Sequence, residues 1–295
     1  MNEQFYYTVI IPHYNSRGLL ARALDSIPRR HDIQVIVVDD MSTEKCIREV
    51  SQSEKYSHVR FIFSSTKLTG GGARNKGLAL ASGNYILFLD ADDYFTEDAF
   101  NVFDIHISQG LDLFMFKVCS FLEDTKEHGT RHLYLEDVYK KKGLTKFVSN
   151  DQPYAKMIKR SFIEKNRIQF QKAAAGDDIY FSTQVSLYSK SRLYVPSLVY
   201  QISQNNFSVT ATMNDEKECS ELEQYTKKVK LIRKNTSILF STYYLAKRNK
   251  LKRYFSVVAD ESANPYLRAS AKAYIQAMPF LVLLWFRLFR RLKAS

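Results

Sequence analysis

Asp90, Asp92 and Asp93 crowd the end of an apolar run in the segment YILFLDADDYF, residues 85–95. Carboxylates gathered where a buried strand ends are costly unless a positive group sits on them. A divalent cation carrying a diphosphate meets that need. Hard cations such as Mg²⁺ or Mn²⁺ take oxygen ligands and are held by one or two carboxylates together with substrate phosphates. A solvated acidic turn is the plainer reading of any isolated D-x-D, so the neighbouring elements must decide.

Those neighbours alternate between strand and helix patterns. Thr8 to Pro12 is a β-branched run that stops at proline, and Ile33 to Val38 (IQVIVV) is a second, ending on Asp39 and Asp40. Val59 to Phe63 and Tyr85 to Leu89 make a third and a fourth. Between them, Leu19, Leu20, Ala23, Leu24 and Ile27 recur at helical spacing behind Ser16 as a candidate cap. A short helix is predicted over Lys45 to Val50, and another opens at Gly70 to Gly72 and runs through Leu80, with Gly83 placed as its C-cap. This alternation implies a parallel α/β sheet, whose ligands lie beyond the carboxyl ends of the strands. Tyr14 and Asn15 follow strand one, Asp39 and Asp40 follow strand two, and Asp90 to Asp93 follow strand four. Three strand ends converge on one rim.

Composition narrows the classes. The 295 residues suit one large domain or two smaller ones. Three scattered cysteines, without CxxC or histidines at ligand spacing, argue against a structural zinc site and for a reducing compartment. The amino terminus lacks a basic region followed by a long apolar one, so a cytoplasmic location is expected. GGGARNKG (70–77) continues into Leu78 rather than Lys and Ser/Thr, so it is not a P-loop, and nothing fits G-x-G-x-x-G. The net charge of +12 calls for an anionic partner such as nucleic acid, a membrane surface or a phosphorylated substrate. The basic residues gather in the last third, away from the acidic cluster. That separation argues against a nucleic-acid-binding protein, because carboxylates lining a pocket repel phosphate unless a metal is present.

The segments TVIIPHYN, VIVVDDMST, GGARNKGLALASGNYILFLDADD, PYAKMIKRSFIEKNRIQF, GDDIYF and LVYQISQNNFSVT occur in an order that resembles the inverting, nucleotide-sugar-dependent glycosyltransferases of family 2. The match covers roughly the first 210 residues. It departs at Met41, where glycine is common, at Asp177, where glutamate is common, and at Tyr154, where the aromatic is often Trp. The resemblance implies a GT-A fold, α/β with a mostly parallel central sheet and a C-terminal helical extension. It implies a nucleotide-sugar-binding half over residues 1–105, an acceptor-binding half over 106–215, and a basic helical region over 216–295. By the same resemblance Pro12, Tyr14 and Asn15 border the nucleoside. Asp39 accepts a hydrogen bond from the base, with Asp40 beside it, so that UDP is the expected nucleotide. Arg74, flanked by Asn75, reaches the diphosphate. Asp90 and Ala91 touch the ribose or sugar, Asp92 (with Asp90) binds a divalent cation, Mn²⁺ or Mg²⁺, and Asp178 is the general base.

The chemistry so implied moves a sugar from a nucleoside diphosphate to an acceptor hydroxyl. A metal on Asp92 and the Arg74 guanidinium would stabilise the leaving diphosphate, and Asp178 would take the hydroxyl proton. Only one carboxylate stands in a base-like context, so single displacement with inversion is expected. A place at a helix N-terminus would keep Asp178 ionised. Plainer roles stand beside these: Asp39 and Asp40 as turn or cap residues, Arg74 as a surface residue paired with a nearby acid, Asp177 and Asp178 as charges at a helix start. A nucleotidyltransferase that makes nucleotide sugars is the enzymatic rival, but HYNSRG does not resemble the Gly-rich, Arg-containing loop expected after its first strand.

Beyond about residue 215, Lys, Tyr and Leu recur at helical spacings. The final AMPFLVLLWFRLFRRLK has an apolar stretch of roughly ten residues, short of the ~20 that span a bilayer. With Trp285, Leu288 and Leu292 on one helical face and Arg287, Arg290 and Arg291 on another, it reads equally as an interfacial helix or as one docked on the domain. Enzymes of the resembled kind often extend bacterial surface polysaccharides on saccharide or polyprenyl-diphosphate-linked acceptors. The expected place is therefore peripheral, on the inner face of the cytoplasmic membrane.

Overall fold

A computed structural model describes residues 5–16, 18–43, 45–204, 214–246, 250–280 and 282–283. The first half is built as strand–helix repeats: β1 (Tyr7–His13), α1 (Leu20–Asp25), β2 (Ile33–Asp39), α2 (Cys46–Gln52), β3 (Val59–Phe63), α3 (Thr69–Leu78) and β4 (Tyr85–Phe88). There follow β5 (Tyr94–Phe95), α4 (Ala99–Ile107), β6 (Leu113–Leu122), α5 (Leu133–Lys140), α6 (Gly143–Val148), β7 (Lys156–Lys159), α7 (Arg160–Lys165), α8 (Asp177–Tyr188) and β8 (Arg192–Gln204). Four helices complete the described chain: α9 (Asp215–Asn235), α10 (Ile238–Ala246), α11 (Lys250–Ala259) and α12 (Pro265–Ala277).

Among the described residues the strands form one eight-stranded sheet in the order β3-β2-β1-β4-β7-β6-β8-β5. One half of it, β3-β2-β1-β4, is wholly parallel, as the strand–helix alternation requires. Strand β7 enters antiparallel to both β4 and β6, β6 and β8 are parallel, and β5 runs against β8. The sheet is mostly parallel, with a polarity change next to β4. Tyr7, Val9, Ile10 and Ile11 on β1 and all of β4 are buried because helices cover both faces. On one face α3 packs Ala73 against Ile36 and Val38, while α1 and α4 belong to the larger core on the other.

Helix α9 is well terminated. The Asn214 side chain accepts from the Lys217 amide, Asp215, Glu216 and Glu218 fill the first turn, and Arg233 and Lys234 close the last. Leu222, Val229 and Ile232 on α9 join Tyr244, Tyr254, Ala271 and Tyr274 in a second core, and Val148 at the end of α6 belongs to it too. The helical region is therefore packed onto the α/β domain.

Some boundaries differ from expectation. Ser16 does not cap α1, which starts later, at Leu20. Asn15 and Gly18 take left-handed backbone conformations that turn the chain first, and Ser16 contributes only its carbonyl, to the Leu19 amide. Gly83 is not a cap either, since α3 ends at Leu78. It lets the chain pass close to β1, where a Cβ would sit 2.4 Å from the Tyr7 carbonyl carbon. The terminal segment with Trp285 and the arginines from Arg287 to Arg291, and residues 205–210 of the last quoted motif, lie outside the described residues.

Candidate active site

The carboxyl ends of β1 and β2 are locked together before any ligand is considered. Parallel register sets His13 opposite Asp39. The buried His13 ring places Nδ1 2.8 Å from Asp39 Oδ1, and Ser42 donates to Asp39 through both Oγ (2.5 Å) and its amide (3.1 Å). Asn15 binds the Ser42 hydroxyl through its amide and accepts from the Thr43 amide. Pro12 stands opposite Val38 on β1. Tyr14 is 52% exposed, with the Lys67 ammonium 3.0 Å from its ring centroid.

Asp40, one residue on, faces elsewhere. It accepts from the amides of Leu68 (2.5 Å) and Thr69 (3.0 Å) and pairs with Lys67, so it caps the start of α3. Asn75 likewise turns to the protein itself: its amide group donates to the Phe170 carbonyl and accepts from the Phe170 amide, both at 2.9 Å. The two residues read from the sequence as ligand neighbours serve as struts here, because their polar atoms are held by backbone groups.

Arg74 is the hub. It leaves α3 buried rather than on the surface, donates to Asp90 at 2.7 Å and reaches Asp177 at 3.5 Å. Burial works against its charge, but Asp90 and Asp177 outweigh that and hold the guanidinium above its ordinary pKa. Its Nε is buried without a protein partner. The strand-end acids after β4 and the acids opening α8 thus share one rim, bridged by a single cation.

The three carboxylates after β4 divide their tasks. Asp93 is buried and accepts from the Tyr200 hydroxyl and the Ser203 amide, each at 2.8 Å; it anchors β8. The same Tyr200 oxygen accepts from the Asp90 amide, and Tyr154 stacks on the Tyr200 ring at 4.7 Å. Asp92 keeps its carboxylate for the rim while Arg22 from α1 takes its carbonyl at 2.6 Å. Burial, then the charge of Asp90, raises the Asp92 carboxyl above the ordinary range. Among the described residues no three His, Cys, Asp or Glu side chains form a ready metal cluster. The fit to a hard cation rests instead on two carboxylates, Asp92 and Asp90, whose mutual repulsion a divalent ion would relieve. Phosphate and water oxygens would complete the shell, as Mg²⁺ and Mn²⁺ sites allow.

Asp177 and Asp178 sit in the first turn of α8, behind Gly176 in a left-handed conformation. Burial, reinforced by Asp177 and opposed by Arg74, pushes the Asp178 carboxyl up to about 8. This corrects the expectation that a helix N-terminus keeps it ionised, since desolvation outweighs the dipole here. His13, Tyr154 and Tyr200 were not foreseen as parts of the site. His13 left a trace beside Tyr14 at the end of strand one, Tyr154 stood out as the aromatic where Trp is common, and Tyr200 fell within the quoted LVYQISQNNFSVT segment.

A cavity of about 710 Å³ opens at the other end of β1 and β4, among Tyr6, Arg30, Asn84, Asp104 and Arg160. Arg30 is already paired with Asp32 and Asp104 and Arg160 with Glu164, the Lys159 ammonium donates to the Gly110 carbonyl, and ligands of such sheets lie at the opposite edge. The rim around Arg74 is the better candidate.

Fold and rim together define the GT-A-like α/β class, in which a parallel half-sheet presents acids at its carboxyl edge. The chain belongs to glycosyl transferase family 2, whose model matches residues 8–167. It is 41% identical over 97 residues to the amylovoran biosynthesis glycosyltransferase AmsB of Erwinia amylovora, covering 31% of this chain and 32% of that one. It is 38% identical over 98 residues to a poly(ribitol-phosphate) beta-glucosyltransferase of Bacillus spizizenii, covering 31% and 16%. The chain therefore spans a third or less of the length of these curated relatives. In fold it is similar to Staphylococcus aureus TarS 1-349 in complex with UDP-GlcNAc, with a TM-score of 0.75 at 20% identity over 94% of this chain and 83% of that one. The mannosyltransferase PcManGT of Pyrobaculum calidifontis, solved with GDP-Man and Mn²⁺, gives 0.59 at 16% identity over 100% and 82%.

Proposed function

We propose that this chain is an inverting glycosyltransferase that moves a sugar from a UDP-sugar to a hydroxyl of a saccharide or lipid-linked acceptor in surface-polysaccharide synthesis. One observation carries the reading: Arg74 bridges Asp90 at the end of β4 and Asp177 at the start of α8, which draws donor-side and acceptor-side acids onto one rim. The UDP-GlcNAc complex of TarS and the surface polymers named for AmsB and the Bacillus enzyme support the substrate class.

The geometry supports the following roles. Asp39, fixed by His13 and Ser42, retains carboxylate lone pairs for a base N–H. Tyr14 offers an exposed ring at the nucleoside edge, beside Pro12 and Asn15. Arg74 supplies preorganised positive charge for the diphosphate, exchanging part of its pairing with Asp90 and Asp177. Ala91 is buried between the two candidate ligands. Asp92 and Asp90 would hold a divalent cation, which when bound supplies charge neutralisation for the leaving group. Asp178 takes the acceptor proton in its ionised form, which is the minority form at neutral pH when the carboxyl is lifted to about 8 but a stronger base than an ordinary aspartate. With one base and no enzyme nucleophile, the displacement inverts the anomeric centre.

The partner surface belongs to the same reading. Among the described residues no helix is long and apolar enough to cross a membrane. Ile238 and Phe280, 69% and 72% exposed, nevertheless line a hollow of about 400 Å³ with Arg233, and Leu239 next in the chain is 77% exposed. No carboxylate side chain falls between Glu223 and Asp260, a span rich in Lys and Arg. An anionic membrane surface bearing the acceptor fits that face.

The test is isothermal titration of UDP-sugars with and without Mn²⁺, together with UDP release during turnover. Asp178→Asn should lower turnover by at least about 10³-fold while leaving donor affinity within about twofold. Asp92→Ala should erase the Mn²⁺-dependent part of donor affinity. Joint loss of binding and turnover in Asp178→Asn would make that residue a folding element instead.

A further inference from the structure

Helix α9 carries none of the chemistry assigned above, yet it lies against the loop that delivers Asp178. The Ser220 hydroxyl accepts from the amides of Ala174 (3.0 Å) and Ala175 (3.3 Å) and donates to the Ala175 carbonyl (3.2 Å). One donor and two acceptor sites are all a hydroxyl has, so a single side chain satisfies three backbone groups of an irregular segment. The next residue, Glu221, presses on Gly176: a Cβ there would lie 3.2 Å from Glu221 Cγ. Two turns along, Lys227 donates to Gln171 Oε1 at 2.8 Å. From the other side the loop is held by α3, through Asn75 on Phe170 and through Gly71, where a Cβ would meet the Gln171 carbonyl at 2.7 Å.

The neighbouring wall is held the same way. Lys228, buried, donates to the Val148 carbonyl at 2.8 Å and pairs with Asp151, while Tyr244 of α10 donates to the same carbonyl at 3.0 Å. Ser186 of α8 takes the Phe147 carbonyl, and buried Lys156 takes those of Asn150 and Gln152. The stretch 147–152 has four carbonyls fixed by side chains, two of these donors coming from the C-terminal helices.

We propose that α9 is the positioning element of the proposed base, with Ser220 as its principal positioning residue: it fixes the 171–176 loop and thereby the place of Asp178 on the rim. The inference deepens the glycosyl-transfer reading and rests on Asp178 as base. The helical region is then part of the catalytic unit. A serine-to-alanine change on a half-exposed helix position removes no packing and favours the helix, so it loosens the loop without threatening the fold.

The experiment measures UDP release from UDP-GlcNAc and UDP-glucose, with water as acceptor, by the full chain and its Ser220→Ala, Ser220→Thr and Asp178→Asn variants. Ser220→Ala should lower kcat by about tenfold, leave the donor KM within about twofold and barely change the melting temperature. Ser220→Thr, which keeps the hydroxyl, should restore most of the rate. Lys227→Met, at an exposed position, should show the same signature at smaller size and decides the matter should Ser220→Ala fail to fold. Wild-type kcat in Ser220→Ala, or parallel loss of kcat, donor affinity and melting temperature without rescue by threonine, overturns the inference. If Asp178→Asn keeps releasing UDP, the base assignment itself falls; if it is inactive while Ser220→Ala is normal, only the positioning role falls.

Discussion

At the scale of single residues, Asp178, the proposed base, shows how burying a carboxyl opposes stability. Its carboxyl titrates near 3.8 when unfolded and is pushed up to about 8 by burial and by Asp177. Between those values the native state keeps a proton that the unfolded chain has released. The stability this group contributes is therefore full below about pH 4 and is lost as pH rises through about 8. Asp178→Asn, neutral at every pH, should melt higher than the wild type at pH 9, by roughly 2–4 °C per kcal/mol of relieved strain. At pH 4 the two should melt within about a degree of each other. Thermal melts without divalent ions check this, and an equal gain at both pH values would locate the relief elsewhere. Much of the rim was legible in sequence because strand ends are: Asp39, Asp90 and Asp92 follow apolar runs, and such runs in an α/β sheet point their carboxyl ends at the ligand. Direction was not legible. Asp39 and Asp40 are the same residue type in adjacent positions, yet one turns toward His13 and the other toward the amides of α3. Tyr200 meets Asp93 across 107 positions of chain, and only the folded sheet brings them together.

At the scale of elements, periodicity found the four parallel strands and the helices between them, since each buries a continuous or 3.6-periodic apolar set. The antiparallel entry of β7 escaped because KMIK is short and its apolar pattern carries no direction. Helix α3 shows why its amino terminus is glycine-rich without being a phosphate loop. A Cβ on Gly71 would sit 2.7 Å from the Gln171 carbonyl and 2.8 Å from Asp177 Oδ2, so the glycine admits the loop before α8. Gly71→Ala should push that loop away, destabilise the fold by about 1–3 kcal/mol in urea titration, and lower turnover more than tenfold on the order-of-magnitude scale of misplaced catalytic groups. Gly72→Ala, which meets only the Leu68 side chain at 3.1 Å, is the milder control. Equal effects from the two would deny the loop contact its role.

At the scale of the whole molecule, charge is partitioned. From Gln224 onward only Asp260 and Glu261 are acidic, so the net +12 resides in the helical end while the α/β domain is close to neutral. Sedimentation with vesicles tests the membrane contact proposed for that end. The full chain should pellet with phosphatidylglycerol-containing vesicles but not with pure phosphatidylcholine, and salt should release it. Replacing Ile238, Leu239 and Phe280 together by Glu should abolish pelleting and spare UDP release; undiminished pelleting of that variant would refute the assignment. The seam between β4 and β7 has a different consequence. Only Tyr85 with Lys159 and Ile86 with Ile158 pair across it. A junction so narrow couples the two flanks weakly, so the all-parallel flank and the β6–β8 flank can shift against each other while each keeps its own register.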